Sequence, residues 1–309
     1  MNLVELNVHR TGSGDPGSCS FLTIQTWGGI GDILRELSSI PHERLYRWTG
    51  RPIRVIHVPA RTLTLHPAAN PPDAAFVRAI IERCPSLVWA GEGHWTKGQK
   101  WANRLVGRIL TSWGGPLFPM HLPLTATEAA QVAACRPTRR GPLIGIQTHL
   151  SGLPSKRIPV AVWTRVFRRL LEEHPAASIL LLEPDAAGLA LCIDARVHPC
   201  GHLSVAQACD LIAGMDLLVS VDSWSKVAAA WKCVPQIILV PDQTVDYPEL
   251  TAEAVWRHSF RGLTGRAEIQ IEGLRAEGGR IRYERGRSIV QLAERLPSAV
   301  GELLKTDRR

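Results

Sequence analysis

The chain has 309 residues, 45% hydrophobic and 21% charged, with a formal charge of +8. That apolar content with charges of both signs excludes disorder as the dominant state, and the length suits one large or two ordinary α/β domains. No apolar run reaches the roughly 18–20 residues needed to span a bilayer, and the start MNLVELNVHRTGSGDPG lacks the basic–apolar–small pattern of a secretory signal, so the expected address is cytoplasmic.

Short apolar runs alternate with helical patterns in two series. The first opens with CSFLTIQTW (19–27), a strand by its β-branched and aromatic content, and passes through GGIGD into the helical DILRELSSI. PIRVIHVPA (52–60) predicts a second strand, DAAFVRAIIERC (73–84) a helix and SLVWAG (86–91) a third strand. Residues 92–140 carry Trp95, Trp101 and Trp113 among Gly, Lys and Arg without a clear period. They end in CRPTRRGP, whose Pro and Arg content marks the expected linker.

The second series is cleaner. PLIGIQTHL (142–150), ASILLLEP (177–184), DLLVSVDS (216–223) and PQIILVP (235–241) read as buried strands. PVAVWTRVFRRLLEEH (159–174), SVAQACDLIAGM (204–215, with Ser204 at its N-cap or first turn) and SKVAAAWK (225–232) read as the helices between them. RSIVQLAERLPSAVGELLK (287–305) is a last helix that Pro297 should kink or divide. The expected architecture is α/β: a Rossmann-like domain over 1–138, a second over 139–286, a central cleft between them, and a C-terminal helix over 287–309 that packs back on the first domain.

The basic excess favours acidic partners: nucleic acid, an anionic membrane face or phosphorylated substrates. It is scattered in short clusters such as RPTRR (136–140) and GRIRYERGR (279–287), most of them ordinary solvated surface. No helix-turn-helix, RRM or zinc-finger pattern supports a nucleic-acid partner. The seven cysteines form no CxxC pair, and most sit among apolar residues, so reduced structural thiols are expected. No DxD and no His pair at metal spacing is present; neither a metal nor a cofactor is expected.

In open parallel sheets, ligands bind beyond the carboxyl ends of the strands, which singles out three loops. Gly28-Gly29-Ile30-Gly31-Asp32 lets a ligand approach the backbone at a helix start and sets a carboxylate there. The competing reading is a tight turn in which Asp32 caps its helix. A dinucleotide fingerprint fits poorly, because Leu34 stands where the third small residue belongs. THLSGLPSKR (148–157) offers the hydroxyls of Thr148, Ser151 and Ser155 with the cations of Lys156 and Arg157, a set suited to a diphosphate, although both cations also fit ordinary surface. Val221-Asp222-Ser223-Trp224-Ser225-Lys226 ends an apolar strand in an acid and hydroxyls; helix capping is again the alternative.

Taken together, GGIGDILRELSSIP, PSKRIP, LSVAQACDLIAGMDLLVSVDS and VPQIILV…PD resemble the ADP-heptose:lipopolysaccharide heptosyltransferases, glycosyltransferases of the GT-B fold that serve lipopolysaccharide biosynthesis. The resemblance covers about residues 20–41 and 142–245. It implies that Asp32 is the general base, with Gly29 and Gly31 beside it at the donor. It implies Lys156 as the cation on the donor diphosphate and Thr148 and Ser151 as part of the phosphate loop. Glu183 falls near the ribose, Leu203 beside the base, and Asp222 with Ser223 at the donor sugar and phosphates.

The implied reaction is metal-independent, inverting transfer from a nucleotide sugar to a cell-surface glycan, a lipid-linked saccharide or a protein, at most peripherally at the inner face of an anionic membrane. The departures lie in one helix start. Trp224 replaces the family's Gly and narrows the space above the phosphates, and Val227 stands where the family has His; Lys226 could supply the missing charge. A catalytically inactive nucleotide-sugar-binding protein of the same shape is the alternative.

Overall fold

The computed structural model describes residues 4–5, 23–26, 30–38, 41–57, 74–93, 120–138, 141–148, 158–182, 189–221, 223–241, 281–286 and 289–306. The chain forms two compact units: Met1–Pro123 with Arg261–Arg266, and Leu124–Phe260 with Ala267–Arg309.

The first unit holds β1 (Val4–Glu5), β2 (Thr23–Thr26), α1 (Ile30–Ser38), α2 (His42–Thr49), β3 (Ile53–His57), α3 (Ala74–Ile81) and β4 (Leu87–Glu92). The strands form one sheet in chain order, with β1 antiparallel to β2 and the pairs β2–β3 and β3–β4 parallel. Helix α1 buries Ile33, Leu34 and Leu37, a spacing of i, i+1 and i+4 that keeps one face inward. Helix α2 ends at Gly50, whose left-handed φ of 67° lets its N–H reach the Tyr46 carbonyl at 2.7 Å.

The second unit carries α4 (Ala126–Cys135), β5 (Leu143–Gln147), α5 (Val160–Glu173), β6 (Ser178–Leu182), β7 (Val197–Pro199), α6 (Val205–Ala213), β8 (Leu217–Val221), α7 (Trp224–Trp231), β9 (Gln236–Pro241), β10 (Ile281–Gly286) and α8 (Ile289–Thr306). Six parallel strands run in the order β10-β9-β8-β5-β6-β7. Alternate residues of the inner strands (Ile144 and Ile146, Ile179 and Leu181, Leu217 and Val219, Ile237 and Leu239) join one apolar core with α5 and α8. Helix α5 contributes Val162, Trp163, Val166, Phe167, Leu170 and Leu171, and the Trp163 and Phe167 rings meet at 5.7 Å between centroids. The other face of the sheet is trimmed for close approach: a β-carbon on Gly145 would overlap Met215 Sδ and lie 3.1 Å from Leu218 Cδ1.

Two features differ from the sequence expectation. The division falls at 123/124 rather than 138/139, because α4 belongs to the second unit. There the Gln207 side chain of α6 donates to Gln131 Oε1 at 2.6 Å, and Arg136 bonds the Asp210 carbonyl at 3.0 Å. Helix α8 packs within the second unit as well, through Ala293, Leu296, Ala299 and Val300 against the core of α5 and an Arg165–Glu294 ion pair of 3.0 Å. Pro297 lies inside this helix and does not divide it; Ala293, Leu296, Ala299 and Val300 are buried on both sides of the proline. None of the described helices is long and apolar enough to cross a membrane.

Candidate functional site at the sheet switch point

From β5 the chain steps outward to β6 and β7, then returns to lay β8 on the other side of β5 and continues to β9 and β10. This reversal opens a crevice between the carboxyl ends of β5 and β8, where a doubly wound sheet binds its ligand. Gln147 ends β5 and is 2% exposed; Thr148, half-buried, follows it. Across the crevice, Ser223 begins α7.

Ser223 occupies the N-cap position with extended backbone (φ −142°, ψ 176°), yet its side chain makes no capping bond. Its hydroxyl instead donates to Gln147 Oε1 and lies 3.1 Å from Ser225 Oγ. The contrast with α6 is direct. There Ser204 Oγ accepts from the Gln207 N–H at 3.3 Å, and the Gln207 side chain accepts from the Ser204 N–H at 2.9 Å, a full capping box. Helix α7 thus begins at the switch point with N–H groups that receive no bond from the Ser223 side chain, at the positive end of its dipole.

A buried polar layer continues behind this cluster. Gln236 Nε2 donates to the Lys226 carbonyl at 3.3 Å, and Gln236 Oε1 and Ser220 Oγ are buried without a hydrogen-bond partner. The first two turns of α7 face inward: Trp224, Lys226 and Val227 are all buried. Val227, where a resembling enzyme would carry His, is an apolar core residue. Lys226 is 5% exposed, so its stem is packed inside the unit rather than displayed on its surface.

The remaining candidates distribute as follows. Leu203, half-buried, directly precedes the capping Ser204. Asp32 and Gly31 are the third and second residues of α1, in the first unit, so Asp32 lies inside the first helical turn and not at the N-cap position. Gly29, Ser151, Lys156, Glu183 and Asp222 lie outside the described residues. Ser223 meets Gln147 at the ends of β5 and β8; Thr148 follows Gln147 in the chain, and Trp224 and Lys226 lie buried in the first turn of α7. Gln147, the residue that holds Ser223, was not singled out from sequence. Its signal was a polar side chain closing an otherwise apolar strand, LIGIQ.

A doubly wound parallel sheet whose order reverses between β5 and β8 places the second unit among the Rossmann-like α/β folds. Solved structures narrow the class. The chain is similar to ADP-heptose lipopolysaccharide heptosyltransferase II of E. coli, with 14% identity, a TM-score of 0.52, and coverage of 93% of this chain and 99% of that one. It is also similar to a family 9 glycosyltransferase of Veillonella parvula, with 11% identity, a TM-score of 0.51, and coverage of 92% and 97%. No protein-family model and no curated protein sequence matches the chain. The chain has the fold of the heptosyltransferase-like glycosyltransferases.

Proposed function

We propose that the chain is a metal-independent, inverting glycosyltransferase. It moves a heptose or related sugar from a nucleoside-diphosphate sugar to a cell-surface glycan, a lipid-linked saccharide or a protein. The observation that carries this reading is the start of α7, which lies at the switch point while its cap residue, Ser223, is bonded to Gln147. A diphosphate placed there accepts from the first N–H groups of α7 and meets the positive end of the helix dipole.

Transfer builds negative charge on the departing diphosphate and positive character at the anomeric carbon. The leaving group is stabilised by the α7 terminus and by the ammonium of Lys156, with Thr148, Ser151, Asp222 and Ser223 completing the phosphate and sugar contacts. Glu183 and Leu203 hold the nucleoside. Asp32, with Gly29 and Gly31 opening the backbone beside it, removes the acceptor proton as the new bond forms on the face opposite the leaving group, which inverts the configuration. The basic balance of the chain supports a peripheral position at an anionic membrane face, where a lipid-linked acceptor lies.

A thermal-shift panel of ADP-, GDP-, UDP-, CDP- and dTDP-sugars tests the donor class, since a true donor raises Tm by mass action. One nucleotide sugar is expected to stabilise the wild type and to lose most of that effect on Lys156→Ala. A flat response to every nucleotide sugar at millimolar concentration contradicts the reading.

A further inference from the structure

Helix α2 has two unlike faces. His42 is buried and Leu45, Tyr46 and Thr49 are half-buried, while Arg44, Arg47 and Trp48 are exposed. At 100° per residue, Arg44, Arg47 and Trp48 fall within about a third of the helix circumference, on the side opposite the buried residues. Trp48 is 78% exposed, more than any other large hydrophobic residue among those described. Arg51, directly beyond the Gly50 cap, and Arg54 on β3 are exposed too. The acidic residue of α2, Glu43, is half-buried, and its carboxylate accepts from the His121 N–H at 3.2 Å.

We infer that the outer face of α2 docks the protein on an anionic phospholipid surface, with the Trp48 indole in the headgroup layer and Arg44 and Arg47 on lipid phosphates. An indole left in water is costly, and its amphipathic ring suits the zone between headgroups and acyl chains. Arginines beside it bury their stems and keep their guanidinium groups on phosphate. Arg44 and Arg47 flank Trp48 on this face and give it a positive charge, complementary to that of the bilayer. A single-stranded nucleic acid would also meet cations and a ring, but one isolated tryptophan supplies one stacking position rather than a series. The inference deepens the peripheral membrane position proposed above by naming its surface. Lipid binding is read without any nucleotide, so its failure leaves the glycosyl-transfer reading standing.

The experiment is cosedimentation of the full chain with vesicles of phosphatidylcholine alone and of phosphatidylcholine with about one third phosphatidylglycerol, at low and high salt. The expected result is binding to the anionic vesicles only, weakened by salt. Arg44→Gln with Arg47→Gln should weaken it about 25-fold, from about fivefold per arginine. Trp48→Ala should weaken it at least about tenfold. These side chains are exposed, and an unchanged Tm verifies that the variants remain folded. Equal binding to neutral vesicles, no binding by the wild type, or variants that sediment like the wild type overturn the inference. So does a single-stranded oligonucleotide bound through the same three residues when vesicles are not.

Discussion

Replacing Ser223 by Ala separates a helix cap from a ligand site. Were Ser223 an ordinary N-cap, Ala would cost about 1 kcal/mol of stability through the lost bond to the helix. The structure gives it no such bond, so the stability change comes instead from the contacts to Gln147 Oε1 and Ser225 Oγ. Losing the bond to the buried Gln147 costs about 0.5–1.5 kcal/mol. The larger expected effect is on binding. A hydroxyl that turns from Gln147 to a charged phosphate contributes about 1.5–3 kcal/mol, which corresponds to a loss of roughly 10- to 150-fold in affinity for the nucleoside diphosphate. Titration calorimetry gives the affinity and urea unfolding monitored by circular dichroism gives the stability. Ser223→Thr, which keeps the hydroxyl, should restore most of the binding. Ser204→Ala is the control, because Ser204 does cap its helix: it should lower stability by about 1 kcal/mol and leave nucleotide affinity within twofold or so. If Ser223→Ala binds the nucleotide as tightly as the wild type, the reasoning about the start of α7 fails.

Other expectations follow from packing and titration. Gly145→Ala should destabilise by about 1–3 kcal/mol, because the new methyl group meets Met215 Sδ, and a second change of Met215→Ala should recover part of the loss in a double-mutant cycle of unfolding curves. His42 is held below its ordinary value of 6.5 chiefly by burial, with the Glu43 charge opposing. The unfolded chain therefore binds a proton below pH 6.5 that the folded chain refuses. The His42 contribution is intact above that pH and is lost as pH falls below it, so the acid-side slope of stability should flatten in His42→Gln. Burial pushes the thiols of Cys84, Cys200 and Cys209 up to about 12, whereas Cys192 and Cys233 are exposed. A thiol-reactive disulfide reagent at pH 8 should therefore label Cys192 and Cys233 in the native protein. Peptide mapping should find the three buried thiols labelled only after denaturation.

The second unit was the more legible in sequence, because its inner strands are unbroken apolar runs and α5 repeats Val162, Val166, Phe167 and Leu170 at helical spacing. What escaped lies at edges or has weak contrast. Strand β7 is only VHP, and β10 reads IRYERG; each is an outermost strand, where charge and proline are tolerated. Helix α4 is rich in alanine and buries only Val132, which leaves almost no period to read. Helix α2 is eight residues long and its exposed face carries a tryptophan, so its hydropathy gives mixed signals. The candidate loops were visible from strand ends and hydroxyls. Gln147 was not, because its role depends on β5 and β8 being neighbours, and these strands are separated by the whole α5–α6 stretch. Strand order is a property of the folded sheet, and local pattern does not carry it.

The central claim is glycosyl transfer with Asp32 as the base, and slow hydrolysis of the donor measures it most directly. With the nucleotide sugar selected by thermal shift, the wild type should release nucleoside diphosphate together with free sugar of inverted anomeric configuration, water taking the acceptor's place. Asp32→Asn should bind the same donor with unchanged affinity and release product about 10²- to 10⁴-fold more slowly. Release by Asp32→Asn at the wild-type rate, or free sugar with retained configuration, contradicts the account.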